Sequence, residues 1–406
     1  INPPSYVLQT LSLGPRNAVL DKFNPKDVLT ELDILIKHCK SNNTSDEVIT
    51  DINIKTLSYI KKCKKQQKSR NITMTKRYLK EHNLLAVPFD KGIGICLMKV
   101  EDYKKKMSDI INLPQFEKVI PKRKNAKHPI FKEEERIVES LQLLRDNDKI
   151  DEQLYLQLKP MGSQPARLYG LAKVHKHNTP VRPVLSMPGS PYHKIAVQIT
   201  KWLSVVEECK TNCSTKSVAD SLKDIHLDND ECLVSFDVTS LYTNVPVEEA
   251  IDICTDYLYS GKYEVPPISK QTFKELLTLC NCNVIMLTHD GFYRQIDGLA
   301  MGSPPAPLLA NGWLKNKEHQ IRDNAKLFAR YMDDILRTIK VNSIESKLLE
   351  INSLHPALKF TLEKETDGEI AFLDMKIIRK NSTLSSSWYC KPSDTGLTMN
   401  YHALAP

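Results

Sequence analysis

KLFARYMDDILRTIK, residues 326–340, decides how this chain is read. Leu327 and Phe328 lead into the adjacent acids Asp333 and Asp334, and Ile335 and Leu336 lead away from them. Two apolar runs about a short acidic turn predict a β-hairpin with carboxylates at its tip. Strand alternation sends neighbouring side chains to opposite faces, so one of the two acids is expected to be the principal ligand unless the turn rotates them. Working outward, a second acid ends ECLVSFDV (231–238). There Val234, Phe236 and Val238 share one face, and Leu233, Ser235 and Asp237 share the other. Laid beside the hairpin in one sheet, that strand brings Asp237 to Asp333. A polar turn or an ordinary strand-end acid explains either feature singly but not both together.

Carboxylates that close are tolerated when cations lie between them. Asp237, Asp333 and Asp334 are therefore the expected catalytic and metal-binding side chains. Two Mg²⁺ ions about 3.5–4 Å apart, with Mn²⁺ as a substitute, suit in-line attack by a 3′-hydroxyl with pyrophosphate as leaving group.

The charge distribution supports a polyanionic partner. The 406 residues carry a net charge of +8, but residues 55–80 hold ten Lys or Arg and no acid. Lys61, Lys62, Lys64, Lys65 and Arg70 in that run are expected to contact nucleic-acid phosphate. Residues 153–206 also lack Asp and Glu while carrying Lys159, Arg167, Lys173, Lys176, Arg182, Lys194 and Lys201. The competing reading of residues 55–80 is a solvated helix face.

Several classes are argued against. No apolar run reaches the ~18 residues of a membrane span, and no basic leader precedes one. There is neither G-x-G-x-x-G nor G-x-x-x-x-G-K-[ST], which disfavours dinucleotide-binding and Walker-type sites. Ten cysteines are scattered without a C-x-x-C pair, which reads as reduced intracellular thiols rather than zinc.

Periodicity predicts a helix over 27–40 and one or two basic helices over 55–82. A turn at 90–92 precedes a strand over 93–98. Residues 131–158 read as helical, 167–186 as two strands about a turn at 177–180, and 192–206 as a helix. Pro246 opens a helix ending near Gly261. A helix runs into a strand over 272–287, and the loop 298–307 precedes another helix. Strands and helices out of strict alternation indicate an α+β fold around an antiparallel sheet.

FDVTSLYTNVP (236–246), GLAMGSPPAPLLAN (298–311), FARYMDDIL (328–336) and AFLDMKI (371–377) resemble, in order, polymerase motifs A, B, C and E of reverse transcriptases. LSLGP (11–15), DKG (90–92), LYGLAKVHK (168–176), VRPVLS (181–186), FLDM (372–375) and YCKPSDTG (389–396) narrow the resemblance to Penelope-like retroelement reverse transcriptases, relatives of telomerase catalytic subunits. It implies a right-hand polymerase fold: an antiparallel palm sheet flanked by helices, a fingers subdomain and a mostly missing thumb. The implied layout is a basic helical region over 1–83, fingers over 84–230, palm over 231–380 and the start of a thumb over 381–406.

The resemblance also assigns roles. The Val238 carbonyl would join the metal ligands, and Tyr242 would exclude a ribose 2′-hydroxyl. Lys173 and Arg182 would grip the incoming triphosphate, where Arg offers a fork and Lys a point charge. Gly302 and Ser303 would back the nucleotide base pair, and Lys364, in a stretch resembling motif D, would protonate pyrophosphate. Pro305 departs from the more usual serine. The implied activity is RNA-directed DNA synthesis from an RNA template and a DNA primer with deoxynucleoside triphosphates, with no membrane partner and with action in the nucleus. No GIY or YIG sequence is present, so no nuclease is assigned. The chain opens at Ile1 and ends where a thumb would begin, which suggests a piece of a longer protein and low processivity. Two other readings stand beside it: a catalytically inactive nucleic-acid-binding remnant of such an element, and a viral-type RNA polymerase, which Tyr242 disfavours.

Overall fold

The computed structural model describes residues 2–12, 25–41, 44–63, 70–92, 94–120, 128–210 and 213–390. The chain divides into two compact units, one formed by the N-terminal residues to Tyr103 and one running from Lys104 to Ser393. The first contains α1 (Ser5–Ser12), α2 (Pro25–Ser41), α3 (Asp46–Cys63) and α4 (Arg70–Glu81), then an antiparallel hairpin of β1 (Leu84–Pro88) and β2 (Ile95–Lys99). The described residues of the basic run thus lie in two helices. The expected boundary at 83/84 falls inside this unit. Helix α5 (Val100–Ile111) spans the division in sequence.

The second unit holds three sheets. A five-stranded sheet has the order β3 (Phe116–Lys118), β8 (Gly291–Gln295), β7 (Val284–Thr288), β4 (Ala166–Ala172), β5 (Val181–Ser186). All its pairings are antiparallel except β4 with β7, where Ala166 lies beside Met286. Strands β7 and β8, expected within the palm, therefore extend the sheet of the 167–186 hairpin. The helices preceding and following that hairpin are α6 (Pro129–Asp146), α7 (Glu152–Leu158) and α8 (His193–Leu203). The long helix expected over 131–158 is interrupted because Asp151 caps a new one, its carboxylate accepting the Leu154 N–H at 2.7 Å.

The central sheet has the order β11 (Phe360–Lys364), β6 (Glu231–Val238), β10 (Asp334–Lys340), β9 (Phe328–Tyr331), antiparallel throughout. Around it lie α9 (Thr215–Leu222), α10 (Leu241–Asn244), α11 (Val247–Leu258), α12 (Lys270–Asn281), α13 (Ala306–Arg322) and α14 (Ile344–Ser353). A small antiparallel sheet of β12 (Glu369–Phe372), β13 (Met375–Lys380) and β14 (Thr383–Trp388) completes the unit. Strand β14 occupies residues the sequence assigned to the start of a thumb.

Strand β6 buries residues on both faces, with Cys232, Leu233, Val234, Phe236 and Val238 all buried. Val234, Phe236 and Val238 enter a large core with Ile335, Trp313 and the α11–α13 side chains. Leu233 enters a second core with Leu336, Ala329, Ile370 and Phe372. Each such side chain stabilises by about 1.5–3 kcal/mol on burial. Within β6 the one exposed residue is Asp237, next to its C-terminal end. No helix among the described residues is long and apolar enough to cross a membrane.

Candidate active site

Each carboxylate is placed by a different piece of backbone. Asp237 is the penultimate residue of β6, Asp334 is the first of β10, and the register pairs them directly. Asp333 belongs to the two-residue loop Met332-Asp333 that joins β9 to β10, with Tyr331 opposite Asp334. Met332 adopts a left-handed φ of 56°, and the Asp333 carbonyl accepts the Val238 N–H at 3.2 Å. One oxygen from each of Asp237, Asp333 and Asp334 lies within 4.8 Å of the others. The turn thus rotates both hairpin acids toward Asp237. Asp237 and Asp333 meet as the sequence suggested, and the direct cross-strand partner of Asp237 is Asp334.

Three acids this close fit a divalent cation. At a surface dielectric of roughly 20, two of them repel by about 3 kcal/mol, and hard oxygen donors suit Mg²⁺ or Mn²⁺. Asp237 is exposed and the other two half-buried, so an ion reaches them from solvent.

Tyr242 follows on α10, half-buried against the large core. Burial chiefly, and the negative Asp333 next, push its phenol up to about 12, while Arg182 pulls the other way. The ring therefore lies in the field of both Asp333 and Arg182. The loop 298–305 is held between these elements. The Leu299 N–H donates to the Tyr242 carbonyl at 2.6 Å, and the Leu185 N–H donates to the Met301 carbonyl at 2.6 Å. A Cβ on Gly302, which has φ 104°, would lie 2.2 Å from the Leu185 carbonyl oxygen, so only glycine passes β5 here. Ser303 is buried, its hydroxyl bonding Asn281 at 3.3 Å, and so braces the loop from inside rather than facing solvent.

Arg182 sits in β5, and half-buried Lys173 lies one residue past β4, its N–H donating to the Pro180 carbonyl at 2.9 Å. Both expected phosphate-gripping cations thus share one hairpin, with exposed Lys176 on its turn. Lys364 is placed differently. In β11 it pairs with Val234, three positions from Thr361, which faces Asp237, and its ammonium binds Glu345 at 2.9 Å. An odd offset along a strand puts it on the opposite face, about 10 Å along the strand. Exposed Lys359 lies just before β11, at the Asp237 end of that strand, and its carbonyl accepts the Thr239 N–H at 2.7 Å. Sequence reading passed over it, and also over Arg330, Asn311 and Glu318, buried polar groups behind the hairpin. An arginine between Ala329 and Tyr331 in an apolar strand was the available signal. Lys61 is exposed on α3, while Lys62 and Arg70 lie at helix ends whose side chains are not described. Lys64 and Lys65 lie outside the described residues.

Two sheet-borne acids, a hairpin acid and a basic β-hairpin beside them define a right-hand nucleic-acid polymerase fold. Residues 174–362 match the family model described as reverse transcriptase (RNA-dependent DNA polymerase). That stretch includes Arg182, Tyr242, Gly302 and all three acids. Among solved structures, apo telomerase from Candida tropicalis truncated from its C-terminal domain is similar with a TM-score of 0.51 and 11% identity, over 94% of this chain and 76% of that one. Apo telomerase from the same organism gives 0.51 and 9% identity, over 94% and 65%. Telomerase from Candida albicans, in complex with a TWJ fragment of telomeric RNA, gives 0.49 and 10%, over 84% and 58%. The chain thus spans under two thirds of the length of the Candida albicans chain, and at these identities the likeness concerns the fold. No curated protein matches the sequence.

Proposed function

We propose that this chain is an RNA-directed DNA polymerase of a Penelope-like retroelement, extending a DNA 3′-hydroxyl on an RNA template in the nucleus. The observation that carries the reading is the meeting of Asp237, Asp333 and Asp334 within 4.8 Å, with Tyr242 in the field of Asp333 and Arg182. In the reaction the 3′-oxygen bonds the α-phosphorus, the bridge to the β-phosphate breaks, and pyrophosphate leaves. Two Mg²⁺ ions, held by the three carboxylates and the Val238 carbonyl, would supply charge neutralisation at the attacking and leaving oxygens. Arg182 and Lys173 orient the triphosphate, the fork of Arg182 fixing its geometry. Tyr242 fills the space a 2′-hydroxyl would need, which favours deoxynucleotides. The Gly302 backbone supports the new base pair, and Ser303 braces that loop.

The test is primer extension on an RNA template with Mg²⁺ or Mn²⁺, comparing deoxy- with ribonucleotides and wild type with Asp334→Asn. The wild-type chain should extend with deoxynucleotides, and the variant should lose at least ~10³-fold in rate while binding RNA–DNA hybrid equally well. If both proteins bind the hybrid and neither extends it, the polymerase reading fails.

A further inference from the structure

Behind the acidic turn, on the sheet face away from the three carboxylates, lies a polar cluster in an otherwise apolar core. Arg330 of β9 is fully buried, and Glu318 and Asn311 of α13 are nearly so. The Arg330 Nε donates to Glu318 Oε2 at 2.9 Å, and Nη1 donates to Asn311 Oδ1 at 2.9 Å. The same Nη1 reaches the Met332 carbonyl oxygen at 3.2 Å, and the Asn311 amide reaches the Met332 sulfur at 3.1 Å. Met332 is the residue held at left-handed φ, immediately before Asp333 and Asp334.

A buried ion pair is a poor source of stability, because desolvating both charges cancels most of their attraction. What this one does have is direction. Its donors end on the one residue of the turn whose backbone is strained, a conformation a methionine adopts only when its surroundings hold it. The planar fork of Arg330 matters here, since it holds Glu318 through Nε and both Asn311 and the Met332 carbonyl through Nη1, a spread that a compact ammonium does not reproduce.

Resting on the polymerase reading above, we infer that Arg330, Asn311 and Glu318 are positioning residues for the metal site. They lock the Met332 turn onto α13 and so fix the orientation of Asp333 and Asp334 toward Asp237. Groups behind a metal's ligands commonly set its affinity by about 10- to 100-fold.

The experiment is Mn²⁺ titration of the full chain, read by electron paramagnetic resonance of free Mn²⁺, so that no turnover is required. Four proteins are compared with wild type: Arg330→Lys, the double variant Arg330→Met with Glu318→Leu, Arg337→Met and Asp334→Asn. The double variant removes both buried charges and is expected to keep its fold, checked by thermal unfolding. It should bind Mn²⁺ about tenfold or more weakly. Arg330→Lys keeps the pair with Glu318 and should also bind more weakly. Arg337→Met removes bonds to the Ile321 and Asp323 carbonyls at the end of α13 without touching the turn. It should lower the unfolding temperature and leave Mn²⁺ affinity as in wild type. A folded double variant with wild-type affinity overturns the inference. If both arginine variants fail to fold, or if Arg337→Met weakens Mn²⁺ as much as they do, the cluster is only structural and the inference is again overturned. A wild type whose Mn²⁺ binding is indifferent to Asp334→Asn removes the metal site itself, a different result that also ends the polymerase reading.

Discussion

On the proposed function, Tyr242 is where a single side chain carries both selectivity and a titration that can be followed. Its phenol is raised to about 12, by burial first and by Asp333 second, against about 10 for an exposed tyrosine. It therefore stays neutral through any pH at which the enzyme is assayed, and the preference for deoxynucleotides should be flat from neutral to mildly alkaline pH. Because the folded value lies above the unfolded one, the neutral ring's contribution to stability is complete below about 10 and is lost as pH rises toward 12. Tyr242→Phe should keep deoxynucleotide selectivity and lose less stability than wild type across that alkaline window, measured by thermal unfolding. Tyr242→Ala should open the space beside Asp333 and raise ribonucleotide incorporation about tenfold or more, measured by competitive extension. A selectivity that collapses in the Phe variant would mean that the hydroxyl, not the ring, does the excluding.

At the scale of elements, the register of β11 separates two lysines. Lys364 lies on the far face of β11 with its ammonium on Glu345, whereas Lys359 precedes the strand at its Asp237 end, its carbonyl held by the Thr239 N–H. Lys359→Ala should slow turnover about a hundredfold if that amine protonates the departing pyrophosphate, and Lys364→Ala should leave turnover unchanged. Single-turnover rates on the same primer decide it, and a larger loss at Lys364 would refute the assignment. Gly302→Ala is a second element-scale case. The new methyl would meet the Leu185 carbonyl at 2.2 Å, and strand β5 cannot yield as a side-chain tip would. The loop should lift, costing about 1–3 kcal/mol of stability and raising the KM for nucleotide. These cases also mark what was legible in the sequence. The acids and the hairpins around Asp333 and over 167–186 are local patterns of apolar alternation, charge and turn residues, and they lie as read. The pairing of β7 with β4 and the facing of Asp334 by Asp237 are set by contacts between residues far apart, and the second by a left-handed Met332. Neither leaves a local trace. Arg330 was passed over because a lone arginine in an apolar strand looks like an edge residue until α13 is seen to cover it.

For the whole molecule, the division into two units fixes what can be separated. All three acids and both hydrophobic cores lie in the unit from Lys104 to Ser393. The densest basic run, residues 55–80, lies in the other. Metal binding and polyanion binding should therefore come apart on truncation. A chain of residues 104–393 should fold cooperatively and bind Mn²⁺ as the full chain does, because every buried neighbour of β6 and of the acidic turn is retained. Its affinity for RNA–DNA hybrid should fall and depend less on salt. Each phosphate contact contributes about 0.7–0.9 to the slope of log K against log salt concentration. Loss of Lys61, Lys62, Lys64, Lys65 and Arg70 should therefore make the slope shallower by roughly 3.5 to 4.5. Fluorescence anisotropy over a salt series measures this directly. An unchanged slope would show that those five side chains face solvent without touching the nucleic acid, and would leave the hairpin bearing Lys173, Lys176 and Arg182 as the main electrostatic contact.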